Sequence, residues 1–470
     1  MSFKKGVVYV FIANVINLLI SLFTGFALPK LLAIETYSTI KLFQLYITYI
    51  GILHLGFIDG MYLNHGGKTI EKLNKKEILS EFETFKAFQL IITIIAVIVS
   101  ISLKNEILLF CSLVILPINI GSYIRSLYQS IGEFKRYSRF TNINTLAIFF
   151  INIILLLIVK SNNYYTYIVS YIIAYIIYWF VLENENRKLF GKEETKISIS
   201  YLIKDIKTGF FLMIGNFCNV IFTSIDRIFV QNLLGKIKFA FYSFAVSIEN
   251  LMTVFITPIS TVMYNYLCNN NEKEKVLNIK RIILLLSTLI NSVVFPAQFI
   301  IDVWLTEYSE SLKVLFILFA AQYISIIVRC VHVNLYKAEK RQNRYFIIML
   351  GIVILSIILN TIFFHIKDNM EMIALATLVT NIIWFIIGEV DFSKYRLKAK
   401  EYIYTFIILI LFILCSNIEN AIIGFLVYNI IAIILIITIM PETFRYCINE
   451  VKQNYTKIIN KVIKDKKIEN

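Results

Sequence analysis

The sequence predicts an all-α polytopic membrane protein with about fourteen transmembrane helices, twelve plus a final pair. Three observations carry that expectation. Apolar residues make up 58% of the 470 positions and charged residues only 16%, more apolar surface than a water-soluble chain of this size can cover with polar groups. The apolar residues fall in long continuous runs. The Lys and Arg residues between those runs fall mostly on alternate loops.

A spanning helix needs about 20 apolar residues. The runs that meet or approach this are Gly6–Leu28, Leu42–Leu63, Ala87–Leu103, Ile107–Tyr128, Ile143–Val159, Tyr164–Leu182 and Thr208–Val230 in the first half of the chain. The second half supplies Phe239–Tyr264, Ile282–Ile301, Val314–Tyr336, Tyr345–Ile366, Met372–Gly388, Tyr402–Ser416 and Ala421–Met440. The first run is too long for the apolar core of a signal peptide and no small-residue cleavage pattern follows it, so it reads as a retained span. The thirteenth is the shortest. Continuous runs exclude the short alternating strands of an outer-membrane barrel. Pro117, Pro258 and Pro296 fall inside spans and predict kinks or breaks. The longest loop expected is about Glu183–Lys207, too short for a soluble catalytic domain.

If the N-terminus and every even-numbered loop share one side, that side holds 35 of the 46 Lys and Arg residues and the other side holds eight. This is a strong positive-inside signal and places both termini in the cytoplasm. The +15 formal charge is thereby explained by topology, with no nucleic acid needed. The C-terminal tail, with Tyr455, Ile458, Ile459, Val462 and Ile463 among lysines, reads as a basic amphipathic surface helix. The six cysteines show no paired spacing, so reduced thiols are expected.

The chain also resembles itself. An offset of 202 places the first span on the seventh, matching Asn14 with Asn216, Asn17 with Asn219 and Ser21 with Thr223. An offset of 208 matches Leu127-Tyr128 and Arg136-Tyr137 with Leu335-Tyr336 and Arg344-Tyr345. Together these predict a duplicated six-helix unit, the copies related by an axis along the membrane normal and enclosing a central cavity. The expected divisions are 1–190 and 200–395 for the two six-helix lobes, 400–440 for an extra helix pair and 441–470 for the tail.

Polar groups inside spans are the candidate functional residues. Asn14, Asn17, Ser21 and Thr24 form a stripe on the first span; Asn216, Asn219, Thr223 and Asp226 or Arg227 form one on the seventh. Each stripe either bonds helix to helix or lines a wet cavity. Three arginines are left over by the topological sorting: Arg125, Arg227 and Arg329. A guanidinium in the membrane interior costs roughly 2.5–3.5 kcal/mol on insertion scales and marks function by default. Arg125 and Arg329, nearer the cytoplasmic ends, are also open to snorkelling toward the headgroups. Among the acids, Glu249 lies deepest and would either pair with an arginine or carry a coupling proton; Asp59, Glu389 and Asp391 lie toward span ends. His332, a lone histidine near Arg329, reads as structural. No metal-ligand spacing, phosphate-cradling loop or nucleophile motif occurs, so no cofactor, metal or catalytic residue is expected and transport is favoured over catalysis.

These residues carry a family resemblance. The N-terminal stretch with Pro29, Leu32, Tyr37, Gly51, Gly56 and Gly60, the segment LYQSIGEFKRY with Gln129 and Gly132, and the string SIDRIFVQNLLGKIKFAFYSFA with Asp226, Arg227, Leu234, Gly235, Tyr242, Ser243 and Ala245 resemble Wzx-type polysaccharide flippases of the MOP (MATE-like) exporter superfamily. Ser38 stands where the family usually has glycine. The resemblance implies two six-helix lobes around a cationic cavity in a bacterial inner membrane. It further implies alternating access that carries undecaprenyl-diphosphate-linked oligosaccharide to the outer leaflet, for O-antigen or capsule. Arg227, Arg125 and Arg329 would then bind diphosphate, Asn14, Asn17, Asn216 and Asn219 would meet sugar or brace the lobes, and Asp226, Glu249 and Asp59 would couple or pair. The protein would work as a monomer among membrane lipids, with polysaccharide polymerase machinery as the assembly it would meet. The alternatives are a multidrug/ion antiporter of the same superfamily, which commonly has an acid in its first helix, and a lipid II flippase, which usually has several charges in its first helices. Both features are absent here. A membrane-embedded glycan polymerase or acyltransferase would need large outer loops, which the sequence lacks.

Overall fold

The computed structural model describes residues 20–449, apart from 67, 69, 192 and most positions between 254 and 271. Among these residues every regular element is helical. The chain divides into two compact units, one built from residues 1–254 and 346–358, the other from 255–345 and 359–470.

In the first unit the helices are α1 (Ile20–Leu31), α2 (Ile34–Ile47), α3 (Phe57–His65), α4 (Lys75–Ser102), α5 (Glu106–Leu113), α6 (Ile115–Ser130), α7 (Phe134–Ile153), α8 (Tyr164–Phe190), α9 (Ile199–Phe222), α10 (Ile225–Leu233) and α11 (Gly235–Glu249). The second unit holds α12 (Lys273–Asn291), α13 (Val294–Trp304), α14 (Ser311–Ile327), α15 (Val333–Ala338), α16 (Gln342–Ile366, of which 346–358 count with the first unit), α17 (Met370–Asp391), α18 (Ala399–Cys415) and α19 (Ala421–Ile439). As far as the described residues reach, the predicted spans fall on this framework. Among the described residues nine helical segments are long and apolar enough to cross a membrane, eleven when each of two bent pairs is taken as one span. The three other predicted spans fall on α1, whose preceding residues are outside the described ones, on α11, which runs toward the partly described stretch, and on the seventeen-residue α18.

Asparagine, abundant in this chain, starts many of the helices. The side chains of Asn74, Asn105, Asn163, Asn369 and Asn420 accept from the first free backbone N–H groups of α4, α5, α8, α17 and α19, which is what orphaned N-terminal donors require. Large apolar side chains such as Ile91, Ile94 and Ile98 on α4 and Leu426, Ile430 and Ile437 on α19 remain exposed, as suits a surface solvated by acyl chains. Two spans break just ahead of a proline that cannot donate to the ladder. Val114 separates α5 from α6 three residues before Pro117, and Ser292 and Val293 separate α12 from α13 before Pro296.

The expected long loop Glu183–Lys207 is mostly helix. α8 runs on to Phe190 and α9 begins at Ile199 after a Ser198 cap. Ion pairs one turn apart, Arg187 to Glu183 at 2.6 Å and Lys188 to Glu185 at 2.9 Å, extend α8 past its apolar stretch.

The two segments matched by the offset of 208 turn alike. After Tyr128 and after Tyr336 the chain makes the same turn: Glu133 N donates to Tyr128 O at 2.8 Å, and Arg341 N to Tyr336 O at 2.8 Å. In each, the residue just before the donor has positive φ, 76° at Gly132 and 55° at Lys340. The cysteines Cys111, Cys218, Cys330, Cys415 and Cys447 are all free thiols.

Candidate functional site

The second and seventh predicted spans are both broken, and within the first unit the broken parts face each other. The second span turns by 60° between the short turn Ile50–His54 and α3, and the seventh by 49° between α9 and α10. The first break passes through Leu55 and Gly56 with φ of 50° and 91°, a left-handed corner that glycine tolerates. Backbone freed inside a membrane must find partners. Here Leu53 O accepts from Gln89 Nε2 at 3.2 Å, Gln89 Oε1 accepts from Asn119 Nδ2 at 2.7 Å, and His54 Nδ1 accepts from Gly56 N at 3.1 Å. Three elements are thus spent on holding one corner open.

Around the corner lies a cavity of about 110 Å³, lined among others by Thr48, His54, Asp59, Met213, Asn216 and Phe217. Asn216 Nδ2 donates to Asp59 Oδ1 at 3.1 Å, and His54 Nε2 stands 3.7 Å from Asp59 Oδ2. One helical half further along, the Tyr49 and Ser224 hydroxyls hydrogen-bond and the Tyr49 and Phe217 rings meet edge to face at 6.1 Å. On the next turn Asp226 is buried. Its Oδ2 accepts from Tyr242 OH at 2.8 Å and its Oδ1 from the backbone N of Arg227 at 2.7 Å.

The Arg227 guanidinium feels the Asp226 charge but makes no ion pair with it. It donates to Thr223 O at 3.4 Å, its Nε is buried without a partner, and among the described residues no carboxylate lies in ion-pair range. A second cation stands close enough to repel it: Lys41, which donates to Ser247 Oγ at 2.9 Å and lies 5.3 Å over the Tyr37 ring. The region can thus offer an anion two positive charges, with hydroxyl and amide groups nearby, in a setting of low dielectric.

The predicted residues are only partly brought together. Asp59 and Asn216 meet directly, and Asp226 and Arg227 lie along the same seam. Asn219 and Thr223 are exposed, and the polar stripe of the seventh span does not run on to Asp226, because the bend at Thr223–Ser224 turns α10 away from the α9 register. Arg125 is elsewhere in the first unit, donating to Tyr178 OH at 3.3 Å and Ser122 Oγ at 3.2 Å. Arg329 lies in the second unit, in a π-helical turn Val328–His332, where its carbonyl accepts from Ser260 Oγ at 3.2 Å. Glu249 is the last residue of α11. Asn14 and Asn17 lie outside the described residues.

Sequence reasoning missed three lysines by counting them as loop charges. Lys41 lies within α2, and Lys86 and Lys280 lie within α4 and α12. Lys280 is completely buried and bonds Glu389, which also accepts from His332 Nε2 at 2.9 Å, Leu397 N at 3.0 Å and Tyr402 OH at 2.6 Å. The second unit also has a cavity of about 870 Å³ lined by Gln298, Asp302, Lys313, Glu371 and Glu419 among others. An apolar groove of about 590 Å³ shares Leu378 and Ile413 with it and runs past Phe385 and Phe406 to Tyr402.

Known proteins resemble the chain in two ways. Residues 85–271 match the family model for "Polysaccharide biosynthesis protein". In fold the chain is similar to a structure of "Lipid II flippase MurJ, inward closed conformation", with a TM-score of 0.67 and 15% identity over 95% of this chain and 100% of that one. It is also similar to the inward-facing and outward-facing conformations of a multidrug resistance MATE family transporter of the MOP superfamily. Both are 12% identical, with TM-scores of 0.57 over 81% of this chain and 98% of that one, and 0.52 over 83% and 96%. No curated protein matches it in sequence. The chain shares the all-helical fold of these structures.

Proposed function

We propose that the chain is a flippase that moves a lipid-linked oligosaccharide from the cytoplasmic to the outer leaflet of a bacterial inner membrane by alternating access, in the service of surface polysaccharide. The observation that carries this reading is the pair of cations Arg227 and Lys41, neither in an ion pair among the described residues, beside two broken spans. A cation held in this position is costly and marks a place for an anionic group, and a diphosphate carries the charge and oxygen acceptors that guanidinium and ammonium groups hold best. Asn216, Asp59 and His54 around the small cavity supply hydrogen bonds for sugar hydroxyls. The match to the polysaccharide biosynthesis family over residues 85–271 and the MOP fold agree with this reading.

In this scheme residues 1–190 and 200–395 are the two rocking lobes, 400–440 is an added helix pair, the basic side is cytoplasmic and 441–470 is a basic tail. The contacts of α2 and α3 with α9, α10 and α11 are then those that must part during the cycle. A second cargo of the same chemistry is a lipid-linked peptidoglycan precursor, since the likeness to the lipid II flippase spans that whole chain.

The test is deletion of the gene, complemented by wild type or by Arg227→Ala with Lys41→Ala. Deletion should leave lipid-linked repeat units on the cytoplasmic leaflet. The double variant should reach the membrane at normal level and lose at least tenfold in surface glycan. Loss of peptidoglycan synthesis with normal surface glycan would favour the second cargo. Normal amounts of both polymers in the double variant would remove the cations from the mechanism.

A further inference from the structure

Glycines remove side chains between α3 and α9, and the two helices approach closely there. A Cβ on Gly60 would lie 1.9 Å from Asp205 O, and one on Gly209 would lie 2.1 Å from Gly56 O. The contact fixes the Asp205 backbone against α3 and directs attention to what its side chain meets. Asp205 is fully buried. Its Oδ1 accepts from Asn64 Nδ2 at 2.6 Å, and its Oδ2 has no hydrogen-bond partner. Beside it, on α4, Glu81 is also fully buried. Its Oε2 lies 2.7 Å from His65 Nε2, and its Oε1 is likewise without a hydrogen bond. His65 Nδ1 and Tyr123 OH, both buried, complete a set of four unpartnered polar atoms.

These groups come from every element packed at this point: Asn64 and His65 from α3, Glu77 and Glu81 from α4, Tyr123 from α6, and Lys204 with Asp205 from α9. Asp205 and Glu81 repel each other, and Tyr123 faces both. The nearby cation is Lys204, half-exposed, 4.0 Å from Glu81 Oε1 and 3.5 Å from Glu77 Oε1. With both carboxyl groups ionised, the buried part of the cluster would hold two negative charges and acceptors without a hydrogen-bond partner among the described residues, an arrangement that low-dielectric surroundings penalise. One added proton cancels one of those charges and turns an orphaned acceptor into a donor facing the others.

We propose that Asp205, Glu81 and His65 form a proton-binding site, and that the closed contact between α3 and α9 holds one proton more than the open one. The proton comes from water on the basic side, past Lys204 and Glu77, and rests on the carboxylate pair while α9 is seated on α3. When the helices part, Asp205 leaves Glu81, water solvates both carboxylates and the proton returns to the same side. The site thereby links proton binding to closure of that end of the pathway, whatever the cargo. A metal ion is the poorer occupant: no group of three His, Cys, Asp or Glu among the described residues could hold one, and Lys204 already supplies positive charge.

The sign follows directly. The closed contact is stabilised at low pH and weakens as pH rises through the titration of the site. The experiment uses the full chain in lipid nanodiscs, with the six native cysteines replaced and spin labels on Leu63→Cys and Thr208→Cys, following the distance distribution by pulsed electron resonance across pH at constant potassium. The wild-type background should pass from a short to a long distance as pH rises. Asp205→Asn and Glu81→Gln should each remain short throughout, and two separate variants guard against one failing to fold. A distance that does not respond to pH, one that follows added sodium at fixed pH, or variants that keep the full response would each overturn the proposal.

Discussion

The two sequence repeats carry the same pair of ionic contacts at their basic ends, built to different depths. In the first repeat Lys86 on α4 meets Glu183 on α8 at 3.0 Å, and Arg136 meets Glu185 two residues further on at 3.8 Å. In the second, Lys280 on α12 meets Glu389 on α17, and Arg344 meets Asp391, again two residues on, at 3.0 Å. Third helix to sixth, and start of fifth to sixth, is the shared plan. The surroundings differ. Lys86 is about a quarter exposed and shares Glu183 with Arg187 and Trp179, while Lys280 and Glu389 are sealed.

The seal has identifiable sources. Tyr402 comes from α18, which has no counterpart in the first repeat, and its OH reaches Glu389 at 2.6 Å. Leu397 N and the carbonyl of Tyr395, in the link leading to α18, complete the shells of Glu389 and Lys280. His332 can lie against α17 because Gly388 has no side chain; a Cβ there would lie 2.2 Å from His332 Nδ1. Where α18 packs on, the contact is internal and fixed; where no such helix follows, it stays accessible. The first repeat keeps the looser version, and the two spans bent by 60° and 49° both lie in the first unit.

The largest effect expected from this difference is for Lys280→Met. It leaves a buried carboxylate without its cation and should cost about 3–5 kcal/mol of folding stability, the usual penalty for breaking a buried pair from one side. Thermal unfolding in detergent reads this as a large fall in Tm, and Lys280→Met with Glu389→Leu should recover most of it, because removing both charges together is nearly neutral. If the single variant unfolds like wild type, the second repeat is no more sealed than the first.

Much of the fold was legible because hydrophobic run length and Lys/Arg placement are properties of sequence alone. The bends were less so. Proline announced the breaks at Val114 and at Ser292–Val293, but the corner at Leu55–Gly56 depends on Gln89 and Asn119, which are remote in sequence. Of the candidate site, Asp59, Asn216, Asp226 and Arg227 were visible as polar letters in apolar runs, and their seam is where the two bends meet. Lys41, Lys86 and Lys280 were hidden by their closeness to span ends, where a lysine looks like a loop residue. Asp205 and Glu81 were hidden for the same reason, since helices that continue beyond the apolar core bury charges no span-based count assigns to the interior. His332 was read as structural, and its bond to Glu389 fits that reading.

A middle-sized effect should come from the looser lock. Lys86→Met removes a partly exposed cation from Glu183, which keeps Arg187 at 2.6 Å and Trp179 Nε1 at 2.8 Å. The expected loss is about 1 kcal/mol or less, as for other accessible pairs, and it should shrink further in high salt, whereas the Lys280→Met loss should not. Equal salt dependence for the two would erase the distinction between a screened and a sealed contact.

The smallest effects, and the finest discrimination, belong to the outer pair of charges. Arg344 grips Asp391 with two parallel bonds, Nε and Nη2 each at 3.0 Å, and Tyr336 OH donates to the same carboxylate at 2.7 Å. Arg136 reaches Glu185 only at 3.8 Å, and the buried hydroxyl of Tyr128, the counterpart of Tyr336, has no hydrogen-bond partner. Planar two-point contact is specific to guanidinium, so Arg344→Lys should lower Tm slightly while Arg136→Lys leaves it unchanged within error. Both arginines lie at exposed helix starts where solvent screens them, so the contrast rests on geometry rather than charge. An Arg136→Lys variant that loses as much as Arg344→Lys would mean the first repeat closes as tightly as the second, and the difference between the copies would reduce to the burial of Lys280.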